Sequence, residues 1–412
     1  MKPLKIDLPG GLVLRRATPA DRDSLLAINT QLLGLDTKVE MNYLLDGGYP
    51  GVRLEDFLVV VEPGGRVVSA LSLIEQELRV GRTRLRIGNP EFVTTLPEYQ
   101  GQGLIRQHFA ILEQWQKERG LAFSLIMGIP YFYRLFGYEY ALEDYRPGFL
   151  YPGVHQPRLA GLPDFEVRLI QESDAPALAR MYAETAAQAD IALALPDEGW
   201  VWSARVRRRE ENMIEDWIAL DQGQPLASAR LYGKGNSVTV SRFAGNLKGQ
   251  QAIIKRALAL PGLEKLGINT VRDNPLSRWI ATLEPGRRET YGNYVRIIDP
   301  ALAFRQLGPE FENRLALSPM AGLSREVELS FYRFSVQLVF EGGKLVSAEN
   351  RPGNPNPRIG LPPDLLPKIL MGYRSLEELA RFYPDLNVPV VEDWELLQVL
   401  FPPLSSMVNF FI

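Results

Sequence analysis

The run Phe92-Val93-Thr94-Thr95-Leu96-Pro97-Glu98-Tyr99-Gln100-Gly101-Gln102-Gly103-Leu104-Ile105-Arg106 reads as a strand, a glycine-rich turn and the start of a helix. Its first part is rich in β-formers. Its last part opens an amphipathic helix with Leu104, Ile105, Phe109, Leu112 and Trp115 on one face. Lys117 and Arg119 suit the negative end of that helix, and Gly120 stops it. Glycine lets the backbone approach a ligand closely, and the free N–H groups at a helix start attract phosphate oxygens. The turn therefore reads as a pyrophosphate cradle. It lacks the Lys-Ser/Thr pair of a Walker loop and the third glycine of a dinucleotide fingerprint. Gly101 and Gly103 alone also fit an ordinary tight turn.

Residues on either side extend the pattern. Leu12–Arg16 reads as a strand, and Thr18-Pro19-Ala20-Asp21 as a helix start, with Leu25, Leu26 and Ile28 on the apolar face that follows. Downstream, Ala122–Ile129 reads as the next strand, leading into Tyr131-Phe132-Tyr133-Arg134-Leu135-Phe136-Gly137-Tyr138. Gln100 to Ile105 resembles the Q/R-x-x-G-x-G/A motif of GNAT acetyltransferases, which grips the pyrophosphate of acetyl-CoA. Tyr133 to Tyr138 resembles the family's Y-x-x-x-G-F/Y segment. The resemblance implies that Val93, Thr94, Thr95, Gln100, Gly101, Gln102, Gly103, Leu104, Ile105 and Gly128 bind the cosubstrate acetyl-CoA. Ile105 departs from the small residue expected at the last motif position. A large aliphatic residue is found there in the Eis-like (enhanced intracellular survival) subgroup.

The opening of the chain recurs. Val167-Arg168-Leu169-Ile170 reads as a strand and Ser173-Asp174 as a helix start. Arg15 to Asp21 and Arg168 to Asp174 share one spacing, and Leu25 matches Leu178, which suggests two copies of one fold. A Pro/Gly-rich linker, Arg146 to Pro163, lies between them. After Asp299-Pro300, Val327–Phe331 and Phe334–Phe340 alternate as strands, and Gly342-Gly343 turns into Leu345–Ala348. Helices are expected over Pro363–Met371, after Ser375 with Glu378 at capping-box spacing, and over Trp394–Leu400. The apolar tail Met407–Ile412 is expected to dock.

This layout resembles the Eis-like subgroup along nearly the full length. It implies a mixed α/β (α+β) fold class: tandem GNAT folds with a C-terminal sterol-carrier-protein-like α+β domain. The expected domains are a catalytic unit at 1–155, a degenerate GNAT-like unit at 156–300 and a carrier-like unit at 301–412. The second unit carries Ser241 to Gln250 where the cradle should be, without its motif, so no cofactor is expected there and its expected role is to wall the active site. The subgroup's hexamers imply a homo-oligomer.

Composition narrows the function. The chain has 412 residues, a net charge of −3, no cysteine and two histidines, His108 and His155. Thiolate chemistry and disulfides are excluded, a histidine-rich metal site is implausible, and nucleic acid is not the expected partner. The basic run Arg205 to Arg209 has no interleaved aromatics and reads as a solvated helix face. No apolar run reaches a membrane span, so a soluble cytoplasmic protein with no membrane partner is expected.

Acetyl transfer to an amine needs a proton removed, a carbonyl polarised, a thiolate protonated and both reactants aligned. Backbone groups at Val93 to Thr95 are expected to pair with the pantetheine arm, one N–H polarising the carbonyl. They equally fit an ordinary core strand. The resemblance puts Tyr133 near the cofactor sulfur, as general acid. The alternative is a packed tyrosine with a satisfied hydroxyl. It also puts the α-carboxylate of Ile412 in the site as general base. The alternative is a tail that only seals a groove. The acceptor implied is a primary amine, on a small molecule such as an aminoglycoside or on a lysine side chain, with Phe92 at a pocket position. Asp36, Glu40 and Glu91 are candidate acids for a cationic acceptor, each also readable as a surface charge. Phe411 stands where an acidic residue would anchor a polycation. Two non-enzymatic readings stay open: a binding protein for an apolar ligand in residues 301–412, and a scaffold for subunit assembly.

Overall fold

Runs of β-branched and aromatic residues build the centre of the molecule. The computed structural model describes residues 4–47, 49, 51–205, 212–284 and 289–408. The first segment contributes strands β1 (Lys5–Asp7), β2 (Val13–Arg16), β3 (Phe57–Val61), β4 (Val67–Val80), β5 (Thr83–Thr95), β6 (Phe123–Ile126) and β7 (Glu139–Leu150). The second adds β8 (Glu166–Leu169), β9 (Ile191–Ala194), β10 (Asn212–Asp221), β11 (Gln224–Lys234), β12 (Ser237–Gly245), β13 (Lys265–Thr270) and β14 (Glu289–Ile297). The continuous Phe57-Leu58-Val59-Val60-Val61 is buried throughout, as expected of a strand covered on both faces. The helices Arg22–Leu33 and Leu104–Glu118 pack against β4 and β5.

The main sheet runs β1-β2-β3-β4-β5-β6-β14-β7-β13-β12-β11-β10-β8. The first half supplies six of its own strands in succession and the second half five, and each takes its innermost strand from the other half. β14 pairs with β6, β7 pairs with β13, and β7 and β14 pair with each other. The sequence division near residue 155 follows the chain, but the sheet crosses it. No sheet edge remains at the junction, which removes a template for unwanted pairing.

The internal repeat is visible in side-chain geometry. Arg15 forms two hydrogen bonds to Asp21, at 2.6 and 2.8 Å. Arg168 forms the same pair to Asp174, at 2.7 and 2.9 Å. Each carboxylate also accepts the backbone N–H three residues before it, from Thr18 and from Gln171. The recurring spacing thus encodes one strand-to-helix corner used twice. A second recurrence was not legible in the sequence. Phe92 in β5 and Arg242 in β12 both adopt positive φ, 55° and 49°. Each sits at a register shift against the preceding strand, between Ala70 and Ser72 and between Ser228 and Arg230.

The third segment begins with the helix Pro300–Ala316, capped by the Asp299 side chain. Strands β15 (Arg325–Ser330), β16 (Phe334–Glu341) and β17 (Lys344–Pro352) form a separate antiparallel sheet. The short helix Leu376–Phe382 carries the expected capping box between Ser375 and Glu378. Phe304, Phe311, Phe331 and Phe340 share one core with Leu78, Val80 and Phe123 of the first segment and Val295 of the second. Residues from β18 (Ser406–Met407) dock the tail: β18 lies parallel to β9, and β9 pairs with the far end of β4.

Candidate functional site

β5 and β6 start as parallel neighbours, pairing Ile87 with Phe123 and Gly88 with Ser124, and then part. From Asn89 to Thr95, β5 is held by β4 alone. At the register shift Phe92 and Val93 stand opposite Leu71, a bulge that kinks β5 at the mouth of the split. The strand expected over Ala122–Ile129 stops at Ile126. Pro130 has no N–H for a ladder, and the Ile129 carbonyl turns to accept the Phe132 N–H. The result is a cleft of about 530 Å³ with a strand edge along one wall. Val93, Thr94, Thr95, Gln100, Gly101, Gly103, Leu104 and Ile105 line it from one side, and Ile129, Phe132 and Tyr133 from the other.

Gly101 and Gly103 have φ of 77° and 76°, the left-handed region where a Cβ is strained. No protein atom lies within 4 Å of where a Cβ on either would project, so the space before the turn is open. Gly103 caps the helix Leu104–Glu118 without a side-chain acceptor, and the first turn holds no acidic residue. Its N–H groups and dipole therefore present a positive end to the cleft. Ile105 is half-buried and packs against the main core, which takes up part of its bulk. Gln100 reaches back to the Thr95 carbonyl at 3.3 Å, whereas Gln102 is exposed and outside the cleft lining.

Buried polar groups fix β5 from behind. Ser69 donates to the Thr94 carbonyl at 3.0 Å and touches Thr95 Oγ1 at 2.8 Å. His108 Nε2 stands 3.1 Å from Ser69 Oγ. Burial pushes His108 down to about 3, so it is a neutral prop for the strand at ordinary pH. His155, also buried, takes the Tyr151 N–H on Nδ1.

Tyr133 lies on a 3-10 turn, Phe132–Phe136, between two left-handed residues, Tyr131 (φ 69°) and Gly137 (φ 78°). Its ring is 5% exposed and packs edge-on against Phe109, Phe132, Tyr138 and Tyr294. A Cβ on Gly128 would collide with that ring, so glycine there makes room for Tyr133. Tyr294 and Arg296, on the exchanged strand β14, brace this turn. The Tyr131 N–H donates to Tyr294 Oη at 2.6 Å, and Arg296 pairs with Glu113 beside Gly137. Sequence reading missed both, because they lie more than 150 residues downstream and carry no motif.

Glu91, on β5 beside the bulge, accepts from Asn89 Nδ2 at 3.2 Å. Burial, helped by the nearby charge of Glu40, pushes its carboxyl up to about 8. The Phe92 ring faces the core and stacks on Phe57 at 6.1 Å. Asp36 belongs to the helix Leu35–Leu45, but its side chain lies outside the described residues. Ile412 and most of the basic run Arg205 to Arg209 also lie outside them. No group of three His, Cys, Asp or Glu residues suited to a metal ion occurs among the described residues. Among them, no helix is long and apolar enough to cross a membrane.

The corresponding place in the second half is built differently. The helix Leu247–Leu258 is capped by the Asn246 side chain, which accepts the Gly249 N–H at 3.0 Å. Where β12 and β13 part, Met407 and Val408 of the docked tail line a small crevice with Arg242, Phe243 and Thr270.

Residues 14–141 match the family model described as an acetyltransferase (GNAT) domain. Among curated proteins, none is significantly similar in sequence. Solved structures resemble the chain from end to end. A GCN5-related N-acetyltransferase from Kribbella flavida is 17% identical with a TM-score of 0.66, the match covering 97% of this chain and 100% of that one. One from Anabaena variabilis is 15% identical with a TM-score of 0.67, covering 95% and 97%. Eis1 from Mycobacterium abscessus is 14% identical with a TM-score of 0.62, covering 96% and 100%. At these identities the likeness shows a shared fold, a mixed α/β architecture with GNAT-type sheets.

Proposed function

We propose that the chain, with its GNAT domain at residues 14–141, is an acetyl-CoA-dependent N-acetyltransferase acting on a primary amine. One observation carries the reading: an open turn of left-handed glycines at a helix start borders the unpaired edge of β5 in a single cleft. The helix start suits a pyrophosphate, and a free strand edge suits the amides of a pantetheine arm, which can pair along it as an added strand. Both features fit acetyl-CoA, which when bound supplies the acetyl group as a thioester.

In this reading Gly101, Gly103, Leu104 and Ile105 hold the phosphates through backbone N–H groups, and Val93 to Thr95 align the pantetheine. Tyr133, nearly buried at the opposite wall, holds a proton on its hydroxyl for the departing thiolate. Two carboxylates compete for the role of base. Glu91, beside the β5 bulge that borders the cleft, is one: with its value raised to about 8 it is mostly protonated at neutral pH and becomes an effective base as pH rises toward 8. The α-carboxylate of Ile412 is the other, four residues beyond the docked Val408. We read residues 156–300 as a degenerate wall for the acceptor side and 301–412 as a unit that anchors the tail.

The test is CoA release on mixing the protein with acetyl-CoA and aminoglycosides, polyamines or lysine peptides, beside direct acetyl-CoA binding. Binding and release with one acceptor class are expected. Tyr133→Phe is expected to keep binding and lose about a hundred- to ten-thousand-fold in kcat. Absence of acetyl-CoA binding by the parent protein would overturn the reading. Adding residues after Ile412 separates the two bases: turnover survives if Glu91 is the base and is lost if the terminal carboxylate is.

A further inference from the structure

Lys368, on the helix Leu365–Leu370 of the third segment, is nine-tenths buried, and a buried ammonium persists only with partners. It donates to the Asp364 carbonyl at 2.9 Å and to Glu139 Oε2 at 3.0 Å. Glu139 opens β7, two residues past Gly137, and the same Oε2 lies 3.2 Å from Arg134 Nη2. Arg134 is the residue after Tyr133. Its guanidinium stands 5.8 Å from the ring centres of both Tyr131 and Tyr140. An unbroken line of alternating charge thus runs from the third segment to the turn that carries Tyr133.

Ring packing of Tyr133 and Phe136 on Phe109 holds the inner side of that turn, and Tyr294 and Arg296 meet it at Tyr131 and Gly137. The charged line holds its outer side, at Arg134. Arg134 is 40% exposed and cannot fix Glu139 by itself, because an exposed guanidinium can turn to water. Lys368, enclosed and with its backbone set in a helix, supplies the fixed end. We propose that Lys368 is a positioning residue for the Tyr133 turn, acting through Glu139 and Arg134. The consequence for turnover rests on the acetyltransferase reading, whereas the consequence for the turn's order does not.

The experiment compares full-length protein with Lys368→Met, Lys368→Arg and Glu139→Gln. Amide exchange over residues 131–138 is read by mass spectrometry, and kcat and the acetyl-CoA KM are measured alongside. In Lys368→Met and Glu139→Gln, exchange is expected to quicken at the turn while the helix Leu104–Glu118 and β5 keep their protection. Misplacing one reacting group by about an ångström costs up to a hundredfold, so kcat is expected to fall about tenfold or more. KM should stay within about twofold, since the cradle on the opposite wall is untouched. Lys368→Arg, which keeps the charge, should restore both readouts. Unchanged exchange at residues 131–138 in both disruptive variants overturns the proposal. So does exchange that rises evenly along the chain without rescue by arginine. If the parent protein fails to bind acetyl-CoA, the acetyltransferase reading falls, and the exchange data still decide the role of Lys368.

Discussion

Glu91 shows how one carboxyl can couple fold and chemistry. Its ordinary value of 4.5 is raised to about 8, chiefly by burial. A carboxyl raised in the folded state holds its proton more tightly there than in the unfolded chain. Between about 4.5 and 8 the unfolded chain has released a proton that the folded chain keeps, so stability declines as pH rises through that window. The contribution is complete below the window and gone above it. Glu91→Gln is expected to flatten this slope and to melt higher than the parent protein at pH 8. Thermal melts at several pH values check it, and an unaltered slope in the variant would show that Glu91 is not the group responsible. If Glu91 is also the base, kcat/KM of the parent should climb toward a plateau above about pH 8. The sequence marked Glu91 only as one of three candidate acids. Its environment depends on the bulge at Phe92, a two-for-one register that residue types do not announce.

Two helix starts in matching places, Gly103 and Asn246, divide the halves by chemistry. Gly103→Ala places a side chain at φ 76°, at a cost of about 1–2 kcal/mol, and projects a methyl group into the open space before the turn. Its acetyl-CoA KM is expected to rise about tenfold or more, equivalent to about 1.4 kcal/mol. Asn246→Ala removes a cap worth about 1 kcal/mol and should leave acetyl-CoA affinity unchanged. Denaturant melts and steady-state kinetics on the pair separate the two effects. Elements such as these were largely legible in the sequence. The helix Leu104–Glu118 announced itself by its apolar stripe and closing glycine, and the Ser375 cap by its partner three residues on. The strand at residue 123 was legible in position but not in length, because its end beyond Ile126 is set partly by the distant Tyr294 hydroxyl, which holds the Tyr131 N–H and the Ile129 carbonyl. Local pattern carries local structure. It does not carry which distant strand lies alongside.

At the scale of the molecule, the first segment shares its sheet with the second and a core with the third. Leu78, Val80 and Phe123 share a core with Phe304, Phe311 and Phe340, and β6 has β14 as its outer neighbour. A fragment spanning residues 1–155 is therefore expected to expose an unpaired strand and a broad apolar face, and to aggregate or remain without a cooperative melt. Circular dichroism and size-exclusion chromatography check this, and a monomeric fragment that melts cooperatively would contradict it. The exchange of β7 and β14 also has a consequence in time. β6 ends at Ile126 and its neighbour ends at Ile297, so roughly 170 residues separate the two on the growing chain. At about 5–20 residues per second, a ribosome takes on the order of ten to thirty seconds to deliver that neighbour. For that interval the nascent first half carries an open β6 edge beside a nearly finished cleft. A chaperone bound there during synthesis would be doing β14's work until it emerges.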